Sequence, residues 1–148
     1  MSLTYHFNSS QDIFEKLQRD SEILERETSG DGVFNFVITA YSLWDWIQKD
    51  PEFKSVLNDT LKKKIWQNKY FRVCRDLANA SKHMEITYKP SVSETRLTGG
   101  YGTNYGLDYG MGAGHIVISL DNGEIIHFSE LKSEIMNLWT NFFDDKFA

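Results

Sequence analysis

Cysteine is nearly absent. Cys74 is the single thiol in 148 residues, so no disulfide can form within the chain, and a reducing compartment is expected. No apolar run approaches the length of a membrane span, and the opening Met-Ser-Leu-Thr-Tyr-His-Phe-Asn lacks a basic region followed by an apolar one. A cytoplasmic protein with no membrane partner is therefore expected. Prolines number two, Pro51 and Pro90, and glycine is scarce outside one segment, with seven of its ten copies lying between Thr98 and His115. Positive charge is also short. A net charge of −5 argues against sequence-independent coating of nucleic acid.

What is present describes a packed globule. The hydrophobic share is 41%, with ten Phe, seven Tyr and four Trp, and the length suits one domain with one core over residues 1–148. Cys74 falls among apolar neighbours and reads as a small buried hydrophobe. The charge is unevenly spread. Between Lys54 and Lys89, nine Lys or Arg face Asp59, Asp76 and Glu85, which makes that window +6 and the remainder −11. A basic element in an acidic chain suits local capture of an anion, although Lys62, Lys63 and Lys64 read more simply as a solvated face.

The pattern of the chain predicts a mainly α fold, a helical bundle of four to five helices with a small antiparallel sheet inserted before the C-terminal helix. The helical part is expected over 9–84, the β insertion over 85–128 and the last helix over 129–145. Ser9 and Asp12 have capping-box spacing, and Ile13, Leu17 and Leu24 recur helically up to Arg26. After the Ser29-Gly-Asp-Gly32 break, Asp31 is placed to cap a second helix with a broad apolar arc through Phe36, Val37, Ala40, Leu43, Trp44 and Ile47. Asp50-Pro51 opens a short helix. From Asn58 one helix of about 20 residues, a rod of ~30 Å, is expected to run to His83. Glu85 to Tyr88 alternate as a short strand that Pro90 ends. Two β-type runs, His115–Leu120 and Glu124–Phe128, flank Asn122-Gly123 as a hairpin. Ser129 then caps the final helix, which carries Leu131, Ile135, Leu138, Trp139 and Phe142.

Between the strands, Tyr101-Gly, Tyr105-Gly and Tyr109-Gly recur every four residues. A phosphate-cradling loop needs a helix start after it, whereas His115 opens a strand, so Gly110-x-Gly112-x-Gly114 is not read as a nucleotide site. Base stacking by these tyrosines competes with the plainer reading of a flexible surface loop.

The most informative segment is Phe71 to His83. Wound at about 100° per residue, with Arg75 at zero, it puts Asn79 near ~40°, Arg72 near ~60°, His83 near ~80° and Asp76 near ~100°. Val73, Cys74, Leu77 and Ala78 fill the opposite arc. The polar stripe is either a ligand site or a solvated face. As a site it holds the groups for metal-free RNA cleavage: a histidine to move protons, an arginine to grip phosphate with two bonds and an asparagine to orient either. Arg75, Asp76, Asn79 and His83 are the candidate catalytic set, with Arg72, Lys82 and Asp45 as candidate substrate-binding residues. Asp45, set between Trp44 and Trp46, is expected to pair across the helix interface with Arg75, Lys82 or His83, because an unpaired buried carboxylate is too costly. No metal or other cofactor is expected. A ligand set of Asp45, Asp76 and His83 is conceivable, but no familiar His or Cys spacing supports it, and His6, His115 and His127 are isolated. No serine has a nucleophile-elbow setting, and Cys74 lacks a nearby helix start, which argues against acyl transfer.

The combination of Ala40-Tyr-Ser-Leu-Trp-Asp-Trp46 with Asp76-Leu-Ala-Asn-Ala-Ser-Lys-His83 resembles the HEPN group of small helical-bundle proteins and similar bacterial and phage proteins. The resemblance covers the helical part up to residue 84. It implies a metal-independent RNA endonuclease of a toxin or defence type, acting on RNA as a homodimer, with any cognate antitoxin left unspecified. By the same resemblance Arg75 would contact phosphate, Asp76 would be the adjacent polar residue and His83 the acid or base. Seven residues separate Arg75 from His83, where the HEPN pattern has four to six. The alternative is a non-catalytic binding or scaffold module in which Asp45, Arg75, Asn79 and His83 form a structural polar network.

Overall fold

A computed structural model describes residues 5–83, 86–97 and 116–144. Among the described residues the fold has five α-helices and a three-stranded antiparallel sheet, with the sheet preceding the last helix as the pattern predicts. Helix α1 (Ser10–Arg26) starts from the expected capping box, in which Ser9 and Asp12 each bond the other's backbone. Helix α2 (Gly30–Lys49) starts two residues earlier than anticipated. Ser29, not Asp31, is its cap, and the Ser29 hydroxyl accepts from the Gly32 N–H at 2.9 Å. Gly32 has a packing reason, since a Cβ there would sit 3.0 Å from Cδ2 of Leu24.

Helix α2 packs against both α1 and the helix over Lys69–Lys82. Its fully buried Phe36, Val37, Ala40, Leu43 and Ile47 form the centre of the core, which is why its apolar arc is so broad. A 3-10 turn (Pro51–Phe53) follows, capped by Asp50.

The long rod expected from Asn58 to His83 is two helices, α3 (Asp59–Gln67) and α4 (Lys69–Lys82). Asn68 divides them. Its backbone is extended (ψ 117°), its N–H closes α3 on the carbonyl of Ile65, and its side chain accepts from the N–H groups of Tyr70 and Phe71 at 2.9 and 3.2 Å. Satisfying the free amides of a new helix is what asparagine does best, and here that preference overrode helical propagation. The break lets Trp66 meet Phe71 edge-on at 4.9 Å, in a cluster that Trp44 and Trp139 complete.

Strand β1 (Val92–Leu97) pairs with β2 (Ile116–Leu120), which pairs with β3 (Ile125–His127). The β2–β3 hairpin is where the Asn-Gly signal put it, with Gly123 at φ +89°. No strand forms at residues 86–88, which are bent or irregular, so the first strand lies beyond Pro90 instead of before it. The glycine- and tyrosine-rich segment 98–115, with its stacking and loop readings, lies outside the described residues. Helix α5 (Phe128–Asp144) leaves β3 directly, beginning at Phe128 and not after a Ser129 cap. It buries Phe128, Leu131, Ile135, Trp139, Phe142 and Phe143. Among the described residues, no helix is long and apolar enough to cross a membrane.

Candidate functional site

The α4 stripe divides into a closed half and an open half. Asp76 heads the closed half. It is 2% exposed, and its two oxygens accept from donors on three parts of the chain. Oδ1 takes Nε and Nη2 of the neighbouring Arg75 at 3.0 and 2.9 Å and the Tyr88 hydroxyl at 3.1 Å. Oδ2 takes the backbone N–H groups of Ser91 and Val92 at 2.6 and 3.0 Å. A buried carboxylate is tolerated only when its lone pairs are matched in this way.

Arg75, 19% exposed in its side chain, spends its fork on Asp76. Its guanidinium also lies over the Tyr88 ring, 4.6 Å from the centroid, and near Trp66 at 5.7 Å. Asn79 donates to the Tyr88 hydroxyl at 3.0 Å, and that hydroxyl in turn donates to Asp76. Burial first, and then the Asp76 carboxylate, raise the Tyr88 pKa against the lowering effect of Asn79, so the phenol stays a donor. Arg72 is committed elsewhere, with Nη1 donating to the carbonyl of Trp66 at 2.6 Å near the end of α3.

The open half is the helix end. Lys82 is exposed and makes no hydrogen bond or ion pair among the described residues. His83 is the C-terminal cap of α4. Its N–H bonds the carbonyl of Asn79 at 2.9 Å, and its side chain is exposed. Of the predicted set, then, Arg75, Asp76 and Asn79 are gathered around Tyr88, while Arg72, Lys82 and His83 stand apart from that node.

Asp45 corrects the expectation placed on it. It pairs with none of Arg75, Lys82 or His83 but with Lys49 one helical turn away at 3.2 Å, and the two side chains are 64% and 76% exposed. The helix turns Asp45 outward between two tryptophans, so no buried partner is required. Nor do Asp45, Asp76 and His83 converge as ligands, for no group of three or more His, Cys, Asp or Glu among the described residues is placed to hold a metal ion. Cys74 is buried, and burial pushes its thiol far above the ordinary range, which leaves it without a nucleophilic role.

No family model, curated protein or solved structure gives a significant match to this chain. Its site must be judged on its own geometry.

That geometry includes a cleft of about 490 Å³ between α2, the end of α3 and the end of α4. Tyr41, Asp45, Trp46 and Gln48 of α2 line it with Trp66 of α3 and Lys82 of α4. Burial raises the Tyr41 pKa, and the nearby charge of Arg75 opposes that shift. A smaller hollow of about 250 Å³, lined by Val33, Phe34, Leu77, Ile118 and Phe128 among others, is mainly apolar. Tyr88 and Trp66 were not anticipated as partners of the stripe. The sequence pattern puts Tyr88 in a short strand and carries a single rod past position 66 without a break. Asn68 carried the one signal that would have moved Trp66, since asparagine is a strong cap.

Proposed function

We propose that the protein is a binding module, in which Arg75, Asp76, Asn79 and Tyr88 tie the sheet to the bundle and the polar cleft between α2, α3 and α4 meets the ligand. One observation carries this reading. Asp76 is buried and all its donors are internal, so the centre of the stripe is occupied by the fold itself. An arginine already bound through Nε and Nη2 has little left with which to grip a phosphate in a bidentate way. Asp45 and Lys82, by contrast, line the cleft with charges that the fold does not consume in its interior.

The test is an RNA cleavage assay on the full chain with and without EDTA, run beside thermal melts. The wild type is expected to leave RNA intact, His83→Ala to melt as wild type and Asp76→Ala to melt lower.

A second reading keeps the nuclease implied by the resemblance to HEPN proteins: a homodimer in which His83 moves protons and Arg75 steadies phosphate. It is favoured by the exposure of His83 at the end of the same helix. Metal-independent cleavage by the wild type that is lost in His83→Ala, without loss of stability, would establish it and overturn the first reading.

A further inference from the structure

The walls of the α2–α3–α4 cleft combine three chemistries. Tyr41, Trp46 and Trp66 are partly exposed aromatic side chains that offer stacking surface. Asp45 is a pure acceptor whose partner among the described residues is an exposed lysine on its own helix, a surface pair that is readily exchanged for a better donor. Lys82 brings an ammonium with no ion pair among the described residues. At about 490 Å³ the cleft falls within the usual size of small-molecule sites, roughly 300–1,000 Å³.

A bare phosphate would leave the aromatic walls unused, and a neutral sugar would leave Lys82 unused. A nucleotide uses all three. Among bases, guanine presents two adjacent N–H donors on its Watson–Crick edge, which suit one carboxylate, whereas adenine presents one amino donor beside a ring-nitrogen acceptor that a carboxylate opposes. Aromatic stacking itself is tolerant of base identity, so selection falls to Asp45.

We propose that this cleft binds a guanine nucleotide unit, with its base against Tyr41, Trp46 and Trp66, its Watson–Crick edge on Asp45 and its phosphate at Lys82. The unit is either a free guanosine monophosphate or the phosphorylated guanine end of an RNA strand. This assignment rests on the binding-module reading, yet the two fail separately: cleavage and melting decide that reading, and ligand titration decides this one.

The experiment is calorimetric titration of the full chain with 5′-GMP, 5′-AMP, guanosine and tryptophan, and with two short RNAs that differ only in a 5′-phosphorylated G or A end. GMP, or failing that the G-ended RNA, is expected to bind saturably and about tenfold tighter than its adenine counterpart. Whichever of the two binds identifies the source. Lys82→Ala should weaken that ligand about tenfold while leaving guanosine unchanged, and Asp45→Asn should erase the preference for guanine over adenine. Both side chains are exposed, so melting curves matching wild type are expected and exclude loss of fold as the cause. The proposal is overturned if neither guanine ligand binds up to about 10 mM, if tryptophan binds more tightly than both, or if the two variants titrate as wild type.

Discussion

Asp76 holds a guanidinium, a phenol and two successive backbone amides at once. Removing one member of a buried ion pair strands the other, at a cost of about 3–5 kcal/mol. Asp76→Ala would leave Arg75 without its counter-charge and two amides without an acceptor. It is therefore expected to fall at that end of the range, which in a chain of this length lowers Tm by roughly 6–20 °C; equilibrium urea unfolding measures the loss directly. Tyr88→Phe removes a gentler link. The lost hydroxyl leaves the Asn79 amide and part of Asp76 unmatched, for about 1–3 kcal/mol. None of this was legible from the stripe alone. A carboxylate next to an arginine on one helical face has the same sequence signature whether its partner is a substrate or a backbone amide sixteen residues away. Asp45 conceals its orientation for a related reason, since flanking tryptophans say nothing of which way the residue between them turns.

Asp50 makes stability depend on pH. Burial pushes its pKa up, but the N–H groups of Ser10 and Glu52, each at 3.0 Å, outweigh this and hold it below the ordinary 3.8. A depressed folded-state pKa contributes stability that is complete above the unfolded value and is lost as pH falls through the folded one. Urea midpoints are thus expected to decline below about pH 4, and Asp50→Asn should flatten that decline.

Some caps and turns are readable in the sequence, although Asp31 and Ser129 are not the caps their positions suggest. Ser9 with Asp12, Asp50 with Pro51, and Asn122-Gly123 each did locally what their chemistry requires, because short-range hydrogen bonds and backbone preference decide such sites within a few residues. Two elements escaped. Ile65, Cys74 and Leu77 keep a roughly helical rhythm across Asn68 and hide the break there, and Ser93, Glu94, Thr95 and Arg96 are all exposed, so no apolar alternation marks β1. Asn68→Ala is expected to cost about 0.5–2 kcal/mol, the usual value of an N-cap, and to weaken the Trp66–Phe71 contact that depends on the break. Near-ultraviolet circular dichroism of the tryptophans reports the contact, and a melt reports the cost. Gly123→Ala forces a side chain into left-handed backbone at φ +89° and is expected to cost about 1–2 kcal/mol.

The sheet is joined to the bundle in two ways that differ in kind. Ile118, Leu120 and Ile126 are buried and join the common core, a nondirectional attachment that tolerates small shifts. The bonds from Ser91 and Val92 to Asp76 are directional and fix where β1 begins relative to α4. Beside this tie the chain kinks between Val92 and Glu94, where the β1–β2 register shifts. If the polar node sets the sheet's position while the core supplies most of its adhesion, weakening the node should loosen the sheet before it unfolds the bundle. Hydrogen exchange on Tyr88→Phe tests this order of events. Amides of Ser91 through Arg96 and of β2 are expected to lose protection, while those of α1 and α2 keep theirs. Uniform loss across α1, α2 and the sheet would instead mean that the node stabilises one indivisible unit, and that the sheet has no independent opening to be governed by it.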